Sequence, residues 1–378
     1  MRTIRLFLLL SIYTVSDLVA QTPATHEYHL LIGTYSSDEK PNGIHVYRFN
    51  TQSGEFNMVQ PVTELSNASY LAISKDRKNV YAVSEGSGGG SVNAYAFDPL
   101  SGALTFMNSV PAQGPCYVSV DDHKAAVFTG NYGGGNVISI HLNADGSFAE
   151  HHVQTVQHEG SSVVKERQEK PHVHSVVLSL DDRYLLVPDL GTDKVYQYRV
   201  DTTQQQMLTP LDAPFMAVKP GGGPRHLTFH PNGKHAYLVL ELVGSVMAFD
   251  YRNGTLIAKQ TISMSAPEFK GRVSGADIHV SPDGKFLYAS NRGDADEIAI
   301  FSIDKKGRLT FVNRQFVLGK TPRNFVIDPT GNFLLVANQN TNEVIIFKRD
   351  QKTGLLIPTG KKIEAIKPVC LKFAAVGG

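Results

Sequence analysis

The stretch HPNGKHAYLVLELVGSVMAFDY, residues 230–251, carries the pattern that decides the fold. A Pro-Asn-Gly turn leads into a short apolar run, Ala236–Leu240. A polar turn then leads into an alternating segment, Ser245–Tyr251. Turn residues before a continuous apolar run, followed by period-two alternation, read as two short neighbouring strands. The first half recurs as SKDRKNVYAVSE (74–85), DDHKAAVFTGNY (121–132), LDDRYLLVPDL (180–190), SPDGKFLYASNR (281–292) and DPTGNFLLVANQ (328–339). With Asp76, Asp122, Asp181, Asn232, Asp283 and Thr330 as anchors, the steps are 46, 59, 51, 51 and 47 residues. HLLIGTY (29–35) sits one period earlier, without the leading turn.

The second half recurs seven times, from NGIHVYRFN (42–50) to NEVIIFKRD (342–350), and most copies run into a Gly turn such as Ser53-Gly54 or Thr353-Gly354. A third theme precedes the turns, also seven times: NASYLAI (67–73), GPCYVSV (114–120), PHVHSVVL (171–178), GPRHLTF (223–229), SGADIHV (274–280), TPRNFVI (321–327) and KPVCLKF (367–373). Four short strands per period near 50, seven times over, predict an all-β, seven-bladed β-propeller in a single domain, residues 21–378. The chain starts on a second-type strand and ends on a first-type strand. Placing both in one blade joins the termini by strand pairing and leaves no open seam.

Composition excludes several functions. Lys and Arg number 36 against 35 Asp and Glu, with no basic run to track a phosphate backbone, so no nucleic-acid role is expected. Residues 1–20 read as a secretory signal: Arg2 and Arg5, a mostly apolar Leu6–Val15, and a small Ala20 before Gln21. That run is shorter than the ~20 residues a spanning helix needs. The mature protein is therefore expected to lie in the periplasm or outside the cell, with no membrane span; a cytoplasmic chain is the alternative. Cys116 and Cys370 make no disulfide framework and read as buried small hydrophobes. A closed propeller needs no partner, so a monomer is expected, with a weak dimer as the alternative.

In a meander the start of each first strand lies beside the end of each second strand, on one face of the disc near the channel. First-strand starts carry Tyr70, Cys116, His172 and His174, Arg225 and His226, Asp277, and Arg323. Second-strand ends carry Tyr35, Glu85, Tyr132, Asp189, Glu241, Asn291 and Arg292, and Asn338 and Gln339. Three arginines with histidines and carboxylates suit an anionic ligand, because the guanidinium fork matches a carboxylate or phosphate. The competing reading is interblade salt bridges, Arg225 with Glu241 and Arg292 with Asp277. PHVH lacks a third ligand at a defined spacing, so acid–base or hydrogen-bonding roles are expected of its histidines, with no metal and no cofactor. The insert 158–174 occupies the longest interval and is expected over the channel mouth, where Arg167 and Gln168 can meet ligand. The Gly-rich stretches near 88–90, 133–135 and 221–223 read as turns.

RQEKPHVHSV (167–176), VPDLGTDKVYQY (187–198), GGGPRHLTFHPNGKHAYLVLEL (221–242), SPDGKFLYASNRG (281–293) and TPRNFVIDPTGNFLLVANQ (321–339) resemble the bacterial lactonase family of seven-bladed propellers. The resemblance spans residues 28–373. Family activities include 6-phosphogluconolactonase and, in a fungal branch, carboxy-cis,cis-muconate cyclase. The resemblance implies a site of one His, two Arg and one Glu at the channel mouth. These fall on His172 or His174, Arg225, Glu241 and Arg292. Arg323, His226, Asn291, Asn338, Gln339, Arg167 and Asp189 are then candidates for substrate binding. The expected reaction is hydrolysis of a sugar lactone, with Glu241 or a His of the pair activating water and the arginines holding the anionic group and the developing oxyanion. A muconate-type cyclase or isomerase, and a non-catalytic propeller that binds a sugar acid or a protein, are the alternatives. The activity expected is 6-phosphogluconolactonase-like, and because the leader separates the chain from a cytoplasmic sugar phosphate, a periplasmic sugar lactone or aldonolactone is the substitute substrate, with the phosphate left open.

Overall fold

The computed structural model describes residues 26–36, 43–86, 89–123 and 125–377. The expected signal, residues 1–20, lies outside the described residues. Seven antiparallel four-stranded sheets form the blades of a ring. In six of them the strands follow chain order, as in blade 5: Pro224–Phe229, His235–Leu240, Ser245–Arg252 and Thr255–Ser263. Blade 1 joins the two ends of the described chain: Pro368–Ala375 pairs with Glu27–Thr34, with Leu30 opposite Phe373 and Ile32 opposite Leu371. The first strand of blade 7 packs against that of blade 1, and that of blade 1 against blade 2, so the ring closes across the termini.

The apolar core is divided among the gaps between blades. One cluster, with Tyr237, Val239, Ile278, Leu287 and Phe301, joins blades 5 and 6, and another, with Tyr288, Ile300, Phe325, Val336 and Phe347, joins blades 6 and 7. The second strands are buried on both faces, which is why they read as continuous apolar runs, while the fourth strands are largely exposed. Polar latches recur from gap to gap. Tyr81, Tyr237 and Tyr288 hydroxyls donate to the carbonyls of Gly146, Gly307 and Gly354 in the next blade, at 2.9, 3.1 and 2.8 Å. At Gly354 φ is +77°, and a Cβ there would stand 2.4 Å from the Phe286 ring, so the turn needs glycine for both its backbone and its contact.

The innermost strands share one irregularity. In blades 2, 3, 5, 6 and 7 the register shifts near the start of the first strand, as at Pro224/Leu227 and Gly275/Ile278. A bulge re-aims side chains, and here it falls where the first strands approach the channel mouth. Blade 4 departs further. Its first strand shrinks to Val177–Leu178, plus a single bridge between Val173 and Asp189, where the sequence predicts a strand over 171–178. The long insert feeds directly into this segment, and its backbone is tied by side chains: the His172 N–H donates to Asp189 and Ser175 Oγ to the Arg225 carbonyl.

Removing residues 368–378 takes away the innermost strand of blade 1 and leaves Glu27–Thr34 unpaired on one edge. A chain ending at Lys367 is expected to be recovered unfolded or aggregated. Soluble protein with the full-length melting temperature would show that closure is not needed.

Candidate active site

Glu241 follows directly on the second strand of blade 5 and is 4% exposed. Its carboxylate stands among three guanidiniums from three blades or loops. Arg225 Nε is 3.0 Å and Arg292 Nη2 3.1 Å from Oε2, while Arg167 Nη2 donates to Oε1 at 2.7 Å. Burial pushes this carboxyl up, but Arg292, Arg225 and Arg167 overcome it and hold it at about 2. Arg292 therefore pairs with Glu241 rather than with Asp277. Arg225 is buried beneath the site and also donates to the Ala276 carbonyl. Burial lowers Arg225, and burial together with the neighbouring guanidiniums brings Arg292 down to about 9, with Glu241 opposing. Both remain cations at neutral pH.

Above this cluster lies a cavity of about 290 Å³, lined by Glu85, Cys116, Tyr132, Arg167, His174, Glu241, Ser274, Arg292 and Arg323. On one side it meets a space of about 400 Å³ that shares Arg167, Glu241, Ser274 and Arg292. On the other it meets one of about 340 Å³ that shares Glu85 and Tyr132 and reaches Tyr35. Four guanidiniums, those of Arg167, Arg225, Arg292 and Arg323, thus stand against two carboxylates. The surplus positive charge, withdrawn from water, favours an anion or a group becoming one.

The insert delivers Arg167 into the site. A turn at Val164–Gln168 is fixed by the buried Gln168, whose side chain accepts from the Val164 N–H and donates to the Leu190 carbonyl. Gln168 thereby supports the loop from below, and Arg167 reaches both Glu241 and the Tyr132 hydroxyl.

The two histidines of PHVH part company. With no regular strand there, the expectation that alternate residues share a side does not apply. His174 lines the cavity, with Nε2 3.8 Å from Glu241. Burial, Arg225, His226 and Arg323 keep it well below its ordinary value, so it is neutral at pH 7. His172 stacks on Tyr132 and contacts the Tyr132 carbonyl and Glu169, outside the cavity wall. Cys116 lines the cavity 3.9 Å from His174 Nδ1, a neighbour that local sequence did not reveal, and burial pushes its thiol up to about 12.

Other candidates serve the scaffold. Asp189 is wholly buried and accepts from the backbone N–H groups of His172, Gly191 and Thr192, with His158 on its other oxygen. Asn291 accepts from Ser274 N–H and donates to Ser265 Oγ, and Asn338 donates to the Val317 carbonyl. Gln339 is half-buried and does not line the cavity. His226 lies deeper in the channel, on Asp277 at 2.8 Å, and burial and Arg225 bring it down to about 3. Asp277 is also bonded by Asn324, whose Oδ1 accepts from Leu371 N–H at 2.7 Å, so a buried polar chain links blades 5, 6, 7 and 1 under the site. Glu85 and Tyr132, which the sequence places at second-strand ends without naming them as site candidates, complete the cavity wall together with Ser274. Glu85 and Tyr132 stand at second-strand ends, the signal that could have found them. Ser274 had none. Among the described residues no group of three or more His, Cys, Asp or Glu is placed to hold a metal ion.

Three comparisons bear on this site. The family described as "Lactonase, 7-bladed beta-propeller" matches residues 29–373. A 6-phosphogluconolactonase of Bacillus subtilis is 36% identical over 347 residues, covering 90% of this chain and 97% of the relative. Among solved structures, a protein of Bacteroides fragilis described as a putative 6-phosphogluconolactonase superposes with a TM-score of 0.88 at 40% identity, over 94% of this chain and 99% of that one. The periplasmic gluconolactonase of Pseudomonas aeruginosa gives a TM-score of 0.88 at 39% identity, over 93% and 100%.

Replacing Glu241 by Gln leaves three guanidiniums without their counter-ion. The expected loss of stability is about 3–5 kcal/mol, the range for breaking a buried ion pair from one side, measured by denaturant unfolding at pH 7. In the wild type the carboxyl moves from its ordinary 4.5 to about 2 on folding. Its contribution is therefore complete above about pH 4.5 and is lost as pH falls toward 2, a window that should flatten in the Gln variant.

Proposed function

The chain belongs to the lactonase family of seven-bladed β-propellers, and on that footing we propose that the channel-mouth cavity opens the ring of a sugar lactone by adding water to its carbonyl. The observation that carries this reading is the convergence of Arg167, Arg292 and Arg323 on one cavity, with Arg225 and Glu241 behind them. A lactone is neutral at its reacting centre. Attack by water turns the carbonyl oxygen into an oxyanion, and collapse leaves a carboxylate. Preformed guanidiniums in a place short of water stabilise both charges more than they stabilise the starting ester, which is what lowers a barrier. Lactones also open unaided, so the required acceleration is modest.

In this reading Glu241 fixes the guanidiniums and does not take a proton. Its two oxygens face three cations, and accepting a proton would cost those pairs. His174 stays a neutral hydrogen-bonding wall, since an imidazolium there would add a cation beside Arg225 and Arg323. Arg167, carried by the insert, closes the site against solvent.

The substrate we favour is an unphosphorylated gluconolactone or related aldonolactone, and the protein we favour is an exported one acting alone. Arg2, Arg5, the apolar run and Ala20 support an export signal ending before Gln21. A relative described as a periplasmic gluconolactonase fits the same setting.

Proton release by residues 21–378 should exceed the spontaneous rate with unphosphorylated gluconolactone, with 6-phosphogluconolactone run alongside to read the phosphate preference. Blank rates with both would overturn the lactonase reading. Arg292→Ala is expected to lower kcat by about 10²–10³-fold, the effect of removing one oxyanion donor. When the full chain is expressed with its leader, the exported protein should begin at Gln21; a cytoplasmic product that keeps Met1 contradicts export.

A further inference from the structure

Lactone hydrolysis needs a group that takes a proton from water, and the two groups nearest the arginines are poorly suited to it. A second carboxylate lines the same cavity. Glu85 lies at the end of the second strand of blade 2, Asn79–Gly86, three blades around the ring from Glu241. It therefore faces the cavity from another side than the guanidinium cluster. Glu85 is half-buried and also lines the adjoining space that opens past Gly86 and Gly133, a route for water. Its Oε2 accepts a hydrogen bond from the Tyr35 hydroxyl at 2.8 Å. Tyr35 in turn accepts from Arg323 Nη2 at 2.7 Å. Burial raises the Tyr35 phenol, so it keeps its proton and remains a donor to the carboxylate. Among the described residues Oε1 makes no hydrogen bond. One oxygen is thus held and the other is unbonded on a residue that lines the cavity, an arrangement suited to a general base.

We propose that Glu85, oriented through Tyr35 and Arg323, is the general base that activates water for lactone opening; this rests on the lactonase reading above. Water gives one proton to Glu85 Oε1 as its oxygen bonds to the lactone carbonyl carbon. The carbonyl π pair moves onto the oxygen and is held by the guanidiniums. When the carbonyl re-forms, the ring C–O bond breaks and its electron pair stays on the ring oxygen. Glu85 returns its proton there, giving a hydroxyl and regenerating the carboxylate. The new acid then ionises, and that is the proton the assay detects. Tyr35 is a positioning residue in this scheme, because it acts only through Glu85.

The test uses the mature protein, residues 21–378, with gluconolactone and 6-phosphogluconolactone as probes. Glu85→Gln can still accept the Tyr35 hydroxyl and should melt as the wild type does. Its kcat is expected to fall by about 10²-fold or more, the usual worth of a general base, with KM little changed. Glu85→Ala should regain turnover when formate is added, a small carboxylate replacing the missing one; a merely structural glutamate would show no such rescue. A kcat within twofold of wild type in Glu85→Gln overturns the proposal while leaving the lactonase reading intact. A folded Ala variant that is slow and unmoved by formate overturns it as well. No turnover by the wild type removes both.

Discussion

Glu241 sits almost entirely out of water, with one oxygen toward Arg225 and Arg292 and the other toward Arg167. Three guanidiniums crowded at a channel mouth would repel one another and drive the blades apart. The single carboxylate makes the arrangement stable by lowering the local charge without cancelling it. What is left over is a fixed, partly dry positive field. In the proposed mechanism that remainder stabilises the negative charge that develops as a lactone is hydrolysed. In the proposed mechanism the same carboxylate takes no proton, because protonation would cost the pairs that hold the site together.

The propeller makes this crowding possible. Neighbouring blades are anchored by apolar packing and, at three gaps, by Tyr-to-turn latches. Beneath the site, His226, Asp277, Asn324 and the Leu371 N–H form a buried polar chain through four blades. Side chains from different blades are thus brought to a common point by rigid strands, and the bulges near the first-strand starts set which of them turn inward. The arginines are supplied by blades 5, 6 and 7 and by the insert, while Glu85 comes from blade 2. The cluster around Glu241 and the second carboxylate thus come from different blades, and Arg323 of blade 7 reaches Glu85 through Tyr35.

The seven-fold repeat and the second strands were legible in the sequence, since two-sided burial leaves apolar runs that period analysis finds. The meeting of Arg225 with Glu241 was also legible: sixteen residues carry the chain out along one strand and back along the next to the same face. The irregular first strand of blade 4 was not, because PHVHSVVL alternates well enough to read as a strand while an insert and the Asp189 carboxylate hold it otherwise. Nor could periodicity say which strand-end polar residues face the channel. Asn291, Asn338 and Asp189 occupy the right positions but spend their hydrogen bonds on the adjoining turns. Glu85 occupies an equivalent position and faces the cavity. The difference lies in local hydrogen-bond partners and bulges, which a period-two pattern does not record.

In the proposed mechanism, guanidiniums held by a buried glutamate receive the negative charge made when the ring opens. A crystal structure of the mature protein with gluconate, the stable open acid, would show where that charge is held. The product carboxylate is expected in the inner cavity, hydrogen-bonded to guanidiniums of Arg167, Arg292 or Arg323, with the pairs to Glu241 intact. Gluconate bound away from these arginines, or bound only after Glu241 has surrendered them, would contradict it.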